Sequence, residues 1–231
     1  MSMLAMIMAR GGSKRIPRKN VKEFMGRPMI AYAISAARDA GIFDEVMIST
    51  EDAEIAKTAL QLGASVPFLR SARTASDTAT TRDVVLEVLE EYARRGRQFD
   101  CLACLYSCVP FLTGDILRGA YAVFCDENAD LLMPVVRYSF PIQRALHIGA
   151  DGRMEYREPS EANKRTQDLE PTYHDAGMFY MTKVAAYVAG DVWHRSYYEV
   201  SNFCAQDIDT PDDWKLAEIK YRMLHDVSDR P

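Results

Sequence analysis

A glycine-containing basic segment follows the first apolar run, with the sequence Ala9-Arg-Gly-Gly-Ser-Lys-Arg-Ile-Pro-Arg-Lys-Asn20. Its glycines let the backbone approach a ligand closely and offer N–H groups to phosphate oxygens. Its arginine and lysine side chains can neutralise several negative charges of a triphosphate. The glycine spacing fits neither a Walker A motif nor GxGxxG, and a solvated basic loop is the alternative interpretation. The candidate phosphate ligands are Arg10, Gly11, Gly12, Ser13, Lys14 and Lys19.

Two aspartates, Asp207 and Asp209, flank Ile208 in the second half of the chain. In an extended segment both carboxylates face one side while the isoleucine faces the other. Two carboxylates on one side can share a Mg²⁺ that is also bound to phosphate oxygens. Such a metal would neutralise charge on a leaving pyrophosphate and align the phosphate under attack. Ordinary acidic loop residues are the alternative, and Asp212 and Asp213 are expected at the start of the following helix, where they suit its dipole.

The hydrophobic pattern predicts a scaffold that can position these segments. Apolar runs of strand length alternate with amphipathic runs of helical period, which favours a mostly parallel sheet with helices on both faces. Ligands of such sheets bind beyond the carboxyl ends of the strands, where the basic segment begins. The predicted strands are Leu4–Met8, Glu45–Ile48, Ser65–Phe68, Cys101–Tyr106, Leu131–Val136 and Met178–Thr182. The predicted helices are Pro28–Ala40, Ala53–Leu62, Thr81–Tyr92, Gly114–Cys125 and Pro211–Leu224.

The alternating rhythm stops between residues 137 and 175. This stretch is polar and contains Asp151-Gly152, a strong turn signal. We therefore expect a hairpin or small lid inserted into a single α/β domain that spans residues 1–231.

The composition excludes several classes of protein. Of 231 residues, 48% are hydrophobic and 26% are charged, which is enough to bury a large core. The net charge of −5 gives no broad reason to expect nucleic-acid binding. No stretch approaches the roughly 18–20 apolar residues of a membrane span, and the short apolar start is typical of a core strand rather than a signal peptide. The expected location is the cytoplasm.

The chain has five cysteines, of which Cys101 and Cys104 form a CxxC spacing. No second pair completes a four-thiolate zinc site, so we interpret them as small buried residues of a strand. A metal–thiolate module remains an alternative. The odd number of cysteines and the lack of a disulfide framework favour a reducing compartment.

The combined motifs resemble those of CMP-sialic acid synthetases and related sugar cytidylyltransferases. The segment from Ala9 to Asn20 is similar to the signature that follows the first strand in that family, although Arg15 stands where the family usually has glycine. The resemblance covers most of the chain, through Gly26-Arg-Pro-Met-Ile-Ala-Tyr32, Val46-Met-Ile-Ser-Thr50 with Glu51-Asp52, Arg70 with Asp77-Thr-Ala-Thr-Thr81, and Gln206-Asp-Ile-Asp-Thr-Pro-Asp-Asp-Trp214.

This resemblance implies a three-layer α/β/α nucleotidyltransferase fold of Rossmann-like type, commonly a homodimer. It implies an enzyme that joins CTP to a 2-keto-3-deoxy acidic sugar and releases pyrophosphate, with Mg²⁺ at Asp207 and Asp209. Arg10, Lys19 and Asp209 would be the catalytic residues. The implied CTP contacts are Arg10, Gly11, Gly12, Ser13, Lys14, Lys19 and Asn20, with Arg70 and Thr81 as weaker candidates.

Four further segments resemble the pseudaminic acid cytidylyltransferase branch. They are Leu105-Tyr-Ser-Cys-Val-Pro-Phe-Leu112, Phe140-Pro-Ile-Gln-Arg-Ala-Leu146, Thr166-Gln-Asp-Leu-Glu170 and Tyr173-His-Asp-Ala-Gly-Met-Phe-Tyr180. Tyr106 stands where the sialic acid branch has glutamine, which implies a changed sugar wall. Met178 departs from the glutamine expected in the pseudaminate branch.

The inserted segment, about 137–175, is expected to contribute to the sugar site and to a dimer contact. Arg165 can bind a carboxylate through two hydrogen bonds, with a solvated loop as the alternative. His174 could act as a base, but a structural or substrate-orienting role is favoured. The implied sugar-binding residues are Tyr106, Gln143, Arg144, Arg165, Gln167, His174 and Asp175.

Several functions remain open at this point. The same chemistry could act on N-acetylneuraminate, legionaminate or keto-deoxyoctulosonate, and the pseudaminate branch implies surface or flagellar glycosylation. A catalytically silent nucleotide-binding regulatory protein is the alternative from another class. Pyrophosphate release separates these two classes, because a binder would take up CTP and release nothing.

Overall fold

A mixed β-sheet forms the centre of the computed structural model, which describes residues 1–226. The strands are β1 Met3–Met8, β2 Glu23–Phe24, β3 Arg27–Pro28, β4 Glu45–Ser49, β5 Cys101–Tyr106, β6 Leu131–Arg137, β7 Leu146–Ile148, β8 Met154–Tyr156, β9 Tyr173–Asp175, β10 Phe179–Lys183 and β11 Arg195–Glu199. The order across the main sheet is β11-β6-β10-β5-β1-β4, and β9 pairs with β6. Strands β4, β1, β5, β6 and β11 share one direction, whereas β9 and β10 are antiparallel to their neighbours. The predicted mostly parallel sheet is confirmed.

Helices cover both faces of this sheet. They are α1 Ile30–Ala40, α2 Ala53–Gln61, α3 Ala72–Ala75, α4 Thr81–Arg94, α5 Gly114–Asp126, α6 Val184–Ala189 and α7 Pro211–Asp226. Short 3₁₀ turns occupy Ile142–Arg144, Pro159–Glu161, Thr166–Asp168 and Asn202–Cys204. Among the described residues, no helix combines the length and the apolar character needed to cross a bilayer.

The first strand shows why the molecule has three layers. Met3, Ala5 and Ile7 lie in a core shared with α1 and α5, whereas Leu4 and Met6 lie in a core shared with α4. Successive strand side chains point to opposite faces, so a strand that is apolar throughout needs a cover on each face. The α/β/α arrangement predicted from the sequence follows from this pattern.

A third hydrophobic cluster ties the two chemical segments of the sequence together. It contains Ile16 of the basic segment and Ile208 of the aspartate pair, both at most 2% exposed. Phe24 lies at its centre, with its ring edge-on to Trp214 at a centroid distance of 5.4 Å. Residues almost 200 positions apart in sequence are therefore fixed side by side through their apolar neighbours.

One predicted strand and one predicted helix boundary are wrong, each for a local reason. Segment Ser65–Phe68 is not a strand, because only Ser65 bridges to Met47 and Pro67 has no N–H to continue a ladder. Helix α1 begins at Ile30 rather than Pro28, since Pro28 pairs with Glu23 in a short antiparallel ladder.

The inserted stretch contains the expected hairpin. Strands β7 and β8 pair antiparallel, and Gly152 takes a left-handed φ of 78° in the turn between them. The Asp151 side chain accepts a hydrogen bond from the Arg153 N–H at 3.0 Å, which closes the turn. The end of the insertion, β9, returns to the main sheet beside β6.

Candidate active site

A cleft of about 890 Å³ opens at the carboxyl ends of β1 and β5. Eleven predicted site residues line it: Arg10, Ser13, Lys14, Lys19, Asn20, Arg70, Thr81, Tyr106, Asp175, Asp207 and Asp209. The basic segment, the aspartate pair and two predicted sugar-site residues therefore share one cavity. Its volume is within the range of small-molecule sites.

The basic segment is held in place by contacts that the sequence did not reveal. The Gly11 N–H donates to Glu51 Oε1 at 2.7 Å, so this amide is already bonded and is not a free phosphate donor. A Cβ atom on Gly11 would lie 2.5 Å from Asp52 Oδ2, whereas nothing lies within 4 Å of the same position on Gly12. Glycine is required at Gly11 by this close packing against Asp52. Neither glycine is among the residues that line the cleft, and of the two only Gly12 has open space at its Cβ position.

Asn20 fastens the two ends of the segment to each other. The Asn20 Nδ2 donates to the Arg10 carbonyl oxygen at 2.8 Å, and its Oδ1 accepts from Cys108 Sγ at 3.5 Å. The side chain is 5% exposed although it borders the cleft. Asn20 therefore positions the loop that carries the cations, in addition to the CTP contact predicted for it.

The loop is also clamped to the start of α2. Arg18 donates to Asp52 at 2.6 and 3.1 Å and also pairs with Glu54, while Asp52 caps the helix by accepting from the Glu54 and Ile55 N–H groups. The Arg18 hydrogen bond and these backbone donors lower the pKa of Asp52 to about 2. Asp52 is consequently charged throughout the physiological range.

Two of the cleft cations converge on one carboxylate. Arg10 donates to Asp77 Oδ1 at 2.7 Å, and Lys14 donates to Asp77 Oδ2 at 2.6 Å. Hydrogen bonds from Lys14 and then Arg10 hold the pKa of Asp77 below its ordinary value. Arg10 and Lys14 thus bind the same carboxylate, that of Asp77. Two cations that converge on one anionic group are also the arrangement expected where a phosphate group binds.

The aspartate pair has the predicted alternation. Asp207 and Asp209 line the cleft, whereas Ile208 between them is 1% exposed in the third cluster. Lys19 donates to the Ile208 carbonyl oxygen at 2.7 Å and lies 3.5 Å from Asp209 Oδ1. The other carboxylate oxygen, Asp209 Oδ2, accepts from Arg15 at 2.7 Å.

The backbone of this pair is anchored to the last helix. The Asp213 carboxylate accepts from the N–H groups of Asp209 at 3.1 Å and Thr210 at 2.7 Å, and the Thr210 hydroxyl accepts from the Asp213 N–H at 3.2 Å. This reciprocal capping arrangement begins α7 at Pro211. The expectation that Asp212 and Asp213 belong to this helix start is confirmed.

Arg70 lines the cleft and is bound to Ser49, the last residue of β4. Its guanidinium donates to the Ser49 hydroxyl at 3.1 Å and to the Ser49 carbonyl oxygen at 2.8 Å. Burial lowers the pKa of Arg70, but a guanidinium remains protonated at neutral pH. Thr81 borders the opposite wall as the first residue of α4, directly after its capping residue Thr80.

The far end of the cleft is lined by two tyrosines and a carboxylate. The rings of Tyr106 and Tyr180 meet edge to face at 6.0 Å, and the Tyr180 hydroxyl donates to Asp175. The Gly177 N–H donates to the second oxygen of Asp175 at 2.8 Å. Burial raises the pKa of both tyrosines, so both are neutral donors at physiological pH. Tyr180 is not among the residues predicted for the site, although it ends the Tyr173-to-Tyr180 segment that resembles the pseudaminate branch.

The remaining predicted sugar residues do not line this cleft in the structure. Gln143 donates to the Glu170 carbonyl oxygen at 2.9 Å, and Arg144 donates to the Thr166 hydroxyl at 3.3 Å, so both bind within the insertion. His174 packs on Tyr138 and its Nδ1 contacts the Asp175 carbonyl oxygen at 2.9 Å. Strand alternation explains this placement, because His174 precedes Asp175 in β9 and faces the other way. Arg165 and Gln167 are exposed on the insertion, away from the cleft.

Two features of the sequence belong to the core rather than to the site. Met178 is 2% exposed and packs in the core shared with α1 and α5, so its departure from the expected glutamine does not face the cleft. Cys101 and Cys104 point to opposite faces of β5, and burial raises their thiol pKa values to about 11 and about 12. Because they lie on opposite faces, the two thiols cannot bind one metal together, and this geometry argues against a metal–thiolate module.

The donor set of the cleft fits a magnesium ion shared with a nucleotide. Within residues 1–226, no group of three or more His, Cys, Asp or Glu side chains could enclose a metal. If Mg²⁺ binds here, Asp207 and Asp209 would be its ligands from the protein, and phosphate oxygens and water would supply the others. This is the usual way in which Mg²⁺ binds, since it retains several waters and takes one or two carboxylates.

Comparison with known proteins identifies the family of this chain and agrees with its fold. Residues 4–206 match the family described as Cytidylyltransferase, so this chain belongs to the cytidylyltransferase family. It is 38% identical over 229 residues to the pseudaminic acid cytidylyltransferase of Campylobacter jejuni subsp. jejuni serotype O:2, covering 98% of this chain and 99% of that protein. It is 31% identical to the CMP-N,N'-diacetyllegionaminic acid synthase of Legionella pneumophila subsp. pneumophila, covering 94% of this chain and 95% of that one.

A solved structure supports the fold independently of sequence. CMP:2-keto-3-deoxy-manno-octonic acid synthetase complexed with CTP superposes with a TM-score of 0.69 and covers 98% of this chain and 100% of that chain. The two sequences are only 16% identical, so the likeness establishes the architecture alone.

Proposed function

We propose that this protein transfers CMP from CTP to pseudaminic acid and releases pyrophosphate. The main support is that the basic segment, the aspartate pair and a wall formed by Tyr106, Tyr180 and Asp175 line the same cleft. Membership of the cytidylyltransferase family supports the reaction type, and the near full-length relative from Campylobacter supports the sugar. Sugars such as legionaminate and N-acetylneuraminate are the competing substrates.

The reaction is a direct displacement at phosphorus. The anomeric hydroxyl of the sugar attacks the α-phosphorus of CTP and forms a new P–O bond, and its proton passes to water. The bond from the α-phosphorus to the bridging oxygen breaks, and its electron pair leaves on pyrophosphate. Arg10, Ser13 and Lys14 would bind the triphosphate. Lys19, which lies beside Asp209, would neutralise the negative charge that develops on the phosphate oxygens in the transition state. Alignment and charge neutralisation supply most of the acceleration in this scheme.

Asp207 and Asp209 are the proposed magnesium ligands. When bound, Mg²⁺ would screen the triphosphate and stabilise the leaving pyrophosphate. The residues of this chain prepare the position, because Ile208 is anchored in the third cluster and Asp213 fixes the Asp209 backbone.

The sugar is proposed to bind at the tyrosine end of the cleft. Tyr106 and Asp175 border that end, and the Tyr180 hydroxyl adds a neutral group in contact with Asp175. Arg165 and Gln167 do not line the cleft, so the sugar contact predicted for them rests on the family resemblance alone. Gln143, Arg144 and His174 have internal partners that suit a supporting role.

We also propose a homodimer in the cytoplasm. The β7–β8 hairpin exposes Leu146, Ile148, Met154 and Tyr156, and Phe140 nearby is 84% exposed, which is an apolar surface suited to a partner subunit. All five cysteines are free thiols, which suits a reducing compartment.

The substrate assignment is tested by pyrophosphate release from CTP and Mg²⁺ with each of pseudaminate, legionaminate, N-acetylneuraminate and keto-deoxyoctulosonate. We expect kcat/KM to be highest with pseudaminate by at least about tenfold, the discrimination expected when a polar wall is left unpaired by the wrong sugar. Asp209→Asn should reduce release by at least about a hundredfold, as expected for loss of a group that stabilises transition-state charge. Asp212→Asn is the matched control, because Asp212 is exposed two residues into α7.

The outcomes separate the alternatives. Preference for another sugar would keep the reaction and replace the substrate. Release from none of the sugars, by folded protein that still binds CTP, would instead support a nucleotide-binding regulatory protein. Full activity of Asp209→Asn would remove Asp209 from the metal site.

A further inference from the structure

The side chain of Arg15 forms an ion pair with Asp209, one of the two carboxylates proposed to bind the metal. Its guanidinium donates to Asp209 Oδ2 at 2.7 Å, while Lys19 lies 3.5 Å from Oδ1. Both oxygens of Asp209 therefore face a protein cation. A divalent ion at coordination distance, roughly 2.1 Å from an oxygen, would be adjacent to the Arg15 charge and would be repelled by it.

The two partners of this ion pair differ in freedom. Asp209 is fixed, since its backbone N–H binds Asp213 and its neighbour Ile208 is buried. The Arg15 side chain is 65% exposed and can leave with little change in packing. Lys19 is only 20% exposed and is further held by the Ile208 carbonyl oxygen. Arg15 is consequently the cation that must move when a metal arrives.

A triphosphate in the cleft would offer the Arg15 side chain an alternative partner. Arg15 borders the same cavity as Arg10 and Lys14, both of which point to the proposed triphosphate position. Arginine binds phosphate oxygens through two hydrogen bonds, and this interaction is stronger than an exposed pair with one carboxylate oxygen.

We infer that Arg15 gates the metal site: it occupies Asp209 in the nucleotide-free protein and is released by the triphosphate, so that a divalent cation enters with the nucleotide rather than before it. This inference rests on the proposed metal role of Asp209. It assigns to Arg15 the order of binding and no step of the chemistry.

The test measures metal binding without nucleotide and without turnover. Mn²⁺ is titrated into nucleotide-free protein, and free Mn²⁺ is followed by electron paramagnetic resonance. Arg15→Gln should lower the Kd for Mn²⁺ by about three- to fivefold, the effect expected from freeing a carboxylate from an exposed ion pair. Adding Asp209→Asn to Arg15→Gln should abolish this gain.

A matched control separates the contact from the change in local charge. Lys14→Gln removes one positive charge from the same cleft, but Lys14 binds Asp77 and not Asp209. Its Kd for Mn²⁺ should fall by less than about twofold, as expected for a more distant and screened charge. A gain in Lys14→Gln as large as that in Arg15→Gln would overturn the gate, as would equal affinities of wild type and Arg15→Gln.

Failure of the gate can be told from failure of the proposed metal site. If Mn²⁺ binding in the presence of CTP depends on Asp209 but Arg15→Gln has no effect without CTP, the metal site stands and the gate is refuted. If Asp209→Asn changes Mn²⁺ binding neither with nor without CTP, the metal assignment is refuted and the gate with it.

Discussion

At the scale of single residues, the two loop glycines have different roles. Gly11 is enclosed by Asp52, whose carboxylate is fixed by Arg18 and by the start of α2. Gly12 has open space at its Cβ position. Gly11 is therefore needed for packing, whereas packing places no such requirement on Gly12, for which a CTP contact is predicted.

Substitution of each glycine by alanine should separate these roles. Gly11→Ala should reduce the free energy of unfolding by about 1–3 kcal/mol, because the new methyl group overpacks against a fixed carboxylate. Gly12→Ala should leave that free energy within about 0.5 kcal/mol of wild type, since nothing lies within 4 Å of the new methyl group. It should weaken CTP binding, because the family resemblance predicts a contact between Gly12 and CTP. Chemical denaturation and calorimetric titration with CTP measure the two effects. Equal destabilisation by both changes would contradict the distinction.

Asp77 is predicted to compete with the nucleotide. It binds Arg10 and Lys14 at the place proposed for a phosphate, so CTP must displace it. Asp77→Asn should therefore lower the Kd for CTP by about two- to fivefold at low ionic strength, and the difference should shrink as salt screens the charges. Calorimetric titration at two salt concentrations measures this. A weaker affinity in Asp77→Asn would show that Asp77 orients the cations rather than blocking them.

The residue-level predictions succeeded where chemistry depended on local pattern. The alternation of Asp207, Ile208 and Asp209 follows from strand geometry and was visible in sequence. The bond from Gly11 to Glu51 joins residues 40 positions apart, and no local pattern predicts such a contact. For the same reason the partner of Arg15 was not visible, although its unusual position in the loop was.

At the scale of elements, the third hydrophobic cluster determines how the site is assembled. It joins the turn after β1 to the segment before α7 through Ile16 and Ile208. A cavity in this cluster should shift the aspartates, whereas a cavity elsewhere should only lower stability.

Paired core substitutions test this claim. Ile208→Ala and Leu117→Ala each remove a side chain that is at most 1% exposed, and each should cost about 2–5 kcal/mol of unfolding free energy. Only Ile208→Ala should also lower kcat at a temperature where both variants remain folded, because Leu117 packs in the core beneath α5. Similar kcat values for the two folded variants would contradict a positioning role for the cluster.

The elements were predicted well where one pattern dominated. Strands β1 and β5 are buried on both faces and were read directly from apolar runs. Strands β9 and β11 were missed, because Tyr173–Asp175 is short and exposed and Arg195–Glu199 is polar in sequence. Both depend on pairing with β6, which is a tertiary contact.

At the scale of the whole molecule, the insertion presents the clearest surface for self-association. Ile148 is 76% exposed at the end of β7, in a hairpin whose other apolar side chains are also exposed. Ile148→Asp should convert the proposed dimer to monomer, since a charge at the centre of an apolar interface is costly to bury. Light scattering coupled to size exclusion measures the mass, with Leu60→Asp on α2 as the control for an exposed apolar residue elsewhere. A wild-type monomer, or a dimer that survives Ile148→Asp, would contradict this interface.

The sequence predicted the architecture of the molecule better than it predicted which residues form the proposed sugar end of the cleft. The α/β rhythm is a local feature, and the fold predicted from it agrees with the structure. The basic segment is also a local feature, and the structure places four of its side-chain candidates, Arg10, Ser13, Lys14 and Lys19, at the cleft. The proposed sugar wall contains residues of β5, β9 and β10, so its composition depends on which side chains of those short strands face the cleft. Tyr180 joined the wall and His174 left it for that reason.

Phosphorus NMR of a reaction containing the protein, CTP, Mg²⁺ and pseudaminate tests the proposed transfer of CMP most directly. We predict that the three CTP resonances are replaced by one phosphodiester resonance and by pyrophosphate in equal molar amounts, because CMP is transferred to the sugar. Appearance of orthophosphate with CDP, or unchanged CTP in the presence of folded protein, would contradict the transfer of CMP and with it the proposed function.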